Sequence, residues 1–192
     1  MNKGISMVDT LRDFVIKMND LGIEYMVTGS YAMSAYGEIR MTRDIDVVIE
    51  LRARDADRFF KEFSDEYYIS KESIQRALIN DSMFNIISNK YGGKIDCIIK
   101  KGTDHAKQSF ERRYQLTIGN IRYWITTKED LMISKLNWAR GSHSEMQIRD
   151  IANLTMSEYN SDYVMDWIEK LGLEEIWAKV GEWKTLHSKT EN

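Results

Sequence analysis

Asp44 and Asp46 open the stretch TRDIDVVIE (42–50), one residue apart at the head of an apolar run. Side chains at i and i+2 of a strand share a face, so both carboxylates would point one way with Ile45 opposite. Their Cα atoms would lie about 7 Å apart. Like charges beside apolar surface are costly unless something pairs with them or coordinates them. A hard divalent cation such as Mg²⁺ (or Mn²⁺) takes carboxylate oxygens and commonly shares its site with substrate phosphates. Asp96 lies in KIDCII with apolar residues on both sides. If that strand ran beside DIDVVI, the two chains would be about 4.8 Å apart and Asp96 would join the same cluster. Three such carboxylates are the ligand set of a two-metal centre, which stabilises attacking and leaving oxygens in phosphoryl transfer.

Upstream, VTGSYA reads as a strand, a Gly29-Ser30 turn and the start of a helix. Backbone N–H groups at such a corner favour anions, and the Ser30 hydroxyl adds a donor. Plain helix capping explains Gly29-Ser30 equally well when it is taken alone. The order gives it weight: strand, Gly-Ser, helix, a strand opening with Asp-x-Asp, then a strand carrying one Asp.

These residues need an α/β scaffold, and the chain supplies one. Ser6–Leu21 reads as an amphipathic helix, ended by Gly22, with a short strand at Glu24–Val27. SYAMSAYG is a short helix and DIDVVIEL a strand. ARDADRFFKEF is a helix with Phe59, Phe60 and Phe63 on its apolar side, and KESIQRALIN is another. MFNIIS and GKIDCIIK are strands joined by the turn NKYGG. A helix spans the region from Asp104 to Arg113, and YQLTIGNIRYWITT is a hairpin about Gly119-Asn120. From Thr127 the pattern is helical to the end, beginning with a near capping box in TKED. The expected fold is therefore a small mixed sheet flanked by helices over 1–126, followed by a helical bundle over 127–192.

Bulk properties narrow the function. The chain has 192 residues, 43% hydrophobic and 30% charged, with a formal net charge of −3. That is enough to bury a core, and too weakly charged for a broad nucleic-acid or anionic-membrane footprint. Cys97 is the single cysteine, so no internal disulfide forms and a cytoplasmic setting is expected. No run reaches the roughly 18 apolar residues of a membrane span, and the start lacks the apolar core of a signal peptide.

With these motifs in hand, the chain resembles the DNA polymerase β-like nucleotidyltransferase superfamily. Gly29-Ser30, Asp44-x-Asp46 and Asp96 match its elements in order, and RMTRDIDV is similar to the Arg-x-Thr-x-Asp-x-Asp form of small bacterial members. EDLMISKLNWA and MQIRDIANL resemble the helical motifs of AbiEii-type nucleotidyltransferase toxins. The resemblance implies a metal-dependent transfer of a nucleotidyl group from a nucleoside triphosphate to a protein, RNA or small-molecule acceptor. Asp44, Asp46 and Asp96 would hold the metal. Gly29, Ser30, Arg43, Lys135 and Asp150 would serve nucleotide binding. A toxin–antitoxin or phage-defence role, with a cognate antitoxin as partner, follows from the same likeness.

Other readings stand beside this one. Haloacid-dehalogenase-like phosphatases and many glycosyltransferases also use Asp-x-Asp, but at the C-terminal end of an apolar strand; here the acids open the strand. Asp46 could simply pair with Arg40 or Arg43, and Lys135 could snorkel over the surface of Leu131 and Trp138. Asp150 could be ordinary surface charge. A catalytically inactive nucleotide- or protein-binding module of the same fold is the alternative to an enzyme.

Overall fold

The computed structural model describes residues 6–38, 42, 44–142 and 144–187. These residues form a mixed α/β protein in which seven strands make one sheet in the order β3-β4-β5-β2-β1-β7-β6. The chain divides into two compact units, the first built from the described residues to 32 and 42–126, the second from 33–38 and the residues after 126.

In the first unit, helix α1 (Met7–Leu21) begins at Ser6, whose hydroxyl caps the Asp9 amide, and ends at Gly22 in the left-handed region. Leu11, Val15 and Met18 are buried as their spacing predicts, but Val8 is exposed and Phe14 takes the central place. Strand β1 (Tyr25–Thr28) runs into the short helix α2 (Gly29–Met33) and a 3-10 turn ending at Gly37. Strand β2 (Asp44–Ile49) pairs antiparallel with β1, and Thr28 stands opposite Asp46. Helix α3 (Ala56–Ser64) follows, then the two-residue strand β3 (Tyr67–Tyr68), which the residue pattern does not announce. Helix α4 (Lys71–Ile79) and strands β4 (Met83–Ser88) and β5 (Lys94–Ile99) lie where the sequence places them. After α5 (Asp104–Arg112), β6 (Tyr114–Ile118) and β7 (Ile121–Ile125) form the expected hairpin about Gly119. Strand β7 joins β1 in parallel.

The alternation of β2 and β5 decides what each sheet face carries. Ile45, Val47, Ile49, Ile95, Cys97 and Ile99 are all buried, and their odd-numbered positions put them on one face. Phe84 and Ile86 of β4 extend that core, and Phe59 packs edge-on against Phe84 at 5.7 Å. Phe59 stacks on Phe63 at 4.5 Å, and Phe63 in turn meets Phe14 and Tyr67. The opposite face of β2 and β5 carries Asp44, Asp46, Lys94 and Asp96. Cys97 is therefore a core thiol, pushed well above its usual pKa by burial and then by the neighbouring Asp96 charge.

The second unit is helical. Helix α6 (Lys128–Ser142) starts at Thr127, whose hydroxyl accepts from the Asp130 amide at 3.2 Å and donates to the Asp130 carboxylate at 2.6 Å. Helices α7 (Glu145–Leu154), α8 (Ser161–Leu171) and α9 (Glu174–His187) follow, with Gly172 breaking the last two. Val164, Trp167, Ile168 and Leu171 are spaced to form one packing face of α8; the first three are buried and Leu171 is half-buried. Among the described residues no helix is long and apolar enough to cross a membrane.

Phe63 joins Phe14, Phe59 and Tyr67 into one cluster and is fully buried. Phe63→Ala is expected to lower the unfolding free energy by about 3–5 kcal/mol, read as a shift of the urea midpoint.

Candidate active site

Strands β2 and β5 run parallel in a register that sets Asp44 beside Lys94 and Asp46 beside Asp96. Paired neighbours on adjacent strands point to the same side, so all four side chains share the face opposite the core. Asn85 of β4 stands next to Asp96 on its other flank. The structure thus brings together the three carboxylates that the sequence singles out. It also adds a residue that the motif pattern passes over, Lys94. The signal is present: a lysine two positions before an acid on a strand shares the acid's face.

The Lys94 ammonium binds both outer acids. Its Nζ lies 2.9 Å from Asp96 Oδ1, 3.0 Å from Asp96 Oδ2 and 3.4 Å from Asp44 Oδ2. Only the Oδ2 contact with Asp96 has the angle of a good hydrogen bond; Oδ1 is buried and accepts none. Burial works to lower the Lys94 pKa, but the hydrogen bond and charge of Asp96, with Asp44 behind them, outweigh it and hold the ammonium above its usual value. Asp44 is further oriented by Thr42, whose hydroxyl donates to Asp44 Oδ1 at 2.9 Å.

Gly29 meets this cluster directly. Its φ is +64°, and a Cβ there would overlap Asp46 Oδ2 and lie 2.6 Å from Asp46 Cγ and 2.8 Å from Cβ. Gly29 is required twice, by its left-handed backbone and by the carboxylate that fills the space a side chain would need. Ser30 is the next residue, half-buried in α2. Gly93, just before β5, has a similar constraint: a Cβ would come within 2.8 Å of Thr10 Cβ and Cγ2 in α1. Arg43, together with Arg40 and His143, lies outside the described residues.

Lys135 and Asp150 are brought to each other. Lys135 Nζ donates to Asp150 Oδ2 at 2.9 Å and to Gln147 Oε1 at 3.0 Å. Their side chains are 3% and 2% exposed. This excludes both a snorkelling lysine and an ordinary surface aspartate. It is a buried ion pair linking α6 to α7.

Among the described residues no group of three His, Cys, Asp or Glu side chains is arranged to hold a metal ion. Asp44 and Asp96 both turn to the Lys94 ammonium. The donor chemistry still suits a hard divalent cation, since the set is carboxylate oxygens throughout.

The fold is that of the nucleotidyltransferases. An antigenic nucleotidyltransferase-like protein from Paracoccidioides brasiliensis is 15% identical, over 96% of this chain and 93% of that one, with a TM-score of 0.59. The lincosamide antibiotic adenylyltransferase LnuA, solved with lincomycin bound, is 15% identical over 79% of this chain and 98% of its own, with a TM-score of 0.52. The antibiotic-resistance factor ANT(2'')-Ia is 11% identical over 96% and 94%, with a TM-score of 0.51. At these identities the likeness is one of fold. No family model matches the chain, and no curated protein matches its sequence.

Two substitutions test the contacts described. Gly29→Ala is expected to destabilise the protein by about 1–3 kcal/mol of backbone strain plus the overlap with Asp46. Adding Asp46→Ala should recover part of that loss, measured as a non-additive double-mutant cycle in denaturant. Lys135→Met removes the ion pair of the buried Asp150 and should cost about 3–5 kcal/mol. The pair Lys135→Met with Asp150→Leu should regain most of it by the same measurement.

Proposed function

We propose that the protein transfers a nucleotidyl group from a nucleoside triphosphate to an acceptor hydroxyl. The observation that carries this reading is the in-register pairing of Asp46 with Asp96, set beside the Gly29 turn on the sheet face opposite the apolar core. The shared fold supports it, because LnuA is an adenylyltransferase and ANT(2'')-Ia has been solved with adenylyl-2''-tobramycin.

In this mechanism the acceptor oxygen attacks the α-phosphorus, the bond to the bridging oxygen breaks, and pyrophosphate leaves with its electron pair. Asp44, Asp46 and Asp96 would form the site for Mg²⁺ or Mn²⁺. The ion would supply charge stabilisation for the transferring group. Asp96 would take the hydroxyl proton. Gly29 lets the turn lie against the Asp46 carboxylate, and the Ser30 hydroxyl and Arg43 would bind the triphosphate oxygens. Lys135 and Asp150 are so occupied with each other that their contribution to nucleotide binding would be to stiffen the helices rather than to touch phosphate. The AbiEii-like helical motifs support a toxin–antitoxin or phage-defence setting, with a protein, RNA or small molecule as acceptor and an antitoxin as partner.

A second reading has one observation in its favour. Lys94 already pairs with Asp44 and Asp96, as it would in an inactive module that binds a nucleotide or a protein without turnover. Incubation with the four labelled nucleoside triphosphates, Mg²⁺ and a cell extract separates the two: label transferred to an acceptor supports the enzyme, and binding without transfer supports the module. For the enzyme, Asp46→Asn should lower turnover by about 100-fold or more, since each ~1.4 kcal/mol of lost transition-state stabilisation is tenfold. Its melting temperature without metal should stay the same or rise as carboxylate repulsion falls. A variant that melts lower yet transfers at the parent rate would make Asp46 a structural residue.

A further inference from the structure

We infer that Lys94 takes the place of a second cation, so that this centre binds one divalent ion, held by Asp44 and Asp46, while Asp96 is engaged by the Lys94 ammonium. The inference rests on the nucleotidyl-transfer reading above and narrows its metal set. Lys94 and Asp96 are two residues apart on β5, and Lys94 is the cross-strand partner of Asp44. The ammonium therefore reaches both outer acids from within the sheet, touching each oxygen of Asp96 at 2.9 and 3.0 Å and Asp44 Oδ2 at 3.4 Å. A two-metal centre needs Asp96 to bridge toward a second ion at about 4 Å from the first. Beside Asp96 the chain already delivers a positive charge, the Lys94 ammonium.

Charge-assisted contacts of this kind are strong because both partners are ionised. Lys94 Nζ would thus orient Asp96 through contacts with both of its carboxylate oxygens. Lys94 is then a positioning residue and an electrostatic substitute for a metal.

The test is a Mn²⁺ titration of the full chain, read by calorimetry and by the paramagnetic resonance of free Mn²⁺, with no nucleotide present. The parent protein should bind one Mn²⁺ per chain. Asp44→Asn should weaken it by about tenfold or more, whereas Asp96→Asn should leave the affinity within about twofold, each tenfold being ~1.4 kcal/mol. Lys94→Met should bind a second Mn²⁺, and Asp96→Asn in that background should abolish the second ion. Melting curves without metal check that each variant is folded; the parent stoichiometry and the Asp96→Asn affinity need no Lys94 variant. Two ions bound by the parent, or one whose affinity collapses in Asp96→Asn, would overturn the inference and leave metal-dependent transfer standing. No Mn²⁺ bound by either the parent or Lys94→Met would overturn both.

Discussion

The parallel register of β2 against β5 puts Asp46 beside Asp96 and Asp44 beside Lys94, and the core enforces it. Ile45 sits beside Ile95, Val47 beside Cys97 and Ile49 beside Ile99, all six buried. A slip of one residue would exchange the faces of a strand, sending Asp96 into the apolar layer and Cys97 out of it. Burying that carboxylate without a partner costs several kcal/mol. The apolar packing on one side of the sheet thus fixes the ionic geometry on the other. The Gly29 turn depends on the same pairing, since β1 is aligned on β2 with Thr28 opposite Asp46, and Gly29 follows at once.

Much of this is legible in the residue order. Alternation in DIDVVI and KIDCII tells which side chains share a face, and local chemistry marks the termini of α1 and α6 through Ser6, Gly22 and Thr127. Other features depend on partners distant in sequence. Tyr67 and Tyr68 make a strand because β4 offers them an edge. Val8 fits the helical stripe of α1 but is left exposed, while Phe14 goes inward to meet Tyr25 and Phe63. Lys94 escapes a reading by motif because a lysine at the start of a strand is ordinarily solvated; its role appears only when Asp44 is placed next to it.

The two units use charge differently. On the sheet face, Asp44 and Lys94 stay partly open, with side chains 39% and 34% exposed, while Asp96 beside them is buried. Such contacts rearrange at low cost because water can replace either partner. Lys135 and Asp150 have no such freedom, being sealed between α6 and α7 with Gln147. Breaking that pair leaves a buried charge, so it acts as a fixed joint in the helical unit.

The sheet order has a consequence for how the protein is made. β2 leaves the ribosome with Asp44 and Asp46 long before β5 supplies Lys94, which is 50 residues from Asp44 in sequence. β1 can zip onto β2 early, but the parallel pairing must wait for α3, β3, α4 and β4 to be synthesised and turned over the core. Contacts of such long range are slow to close, and chains fold from the N-terminus as they emerge. During that interval the acid pair has neither its third acid nor its lysine. The nascent β2 is therefore an acidic, unpaired edge, and the repulsion between its carboxylates discourages it from pairing with the same strand of a neighbouring chain on the polysome.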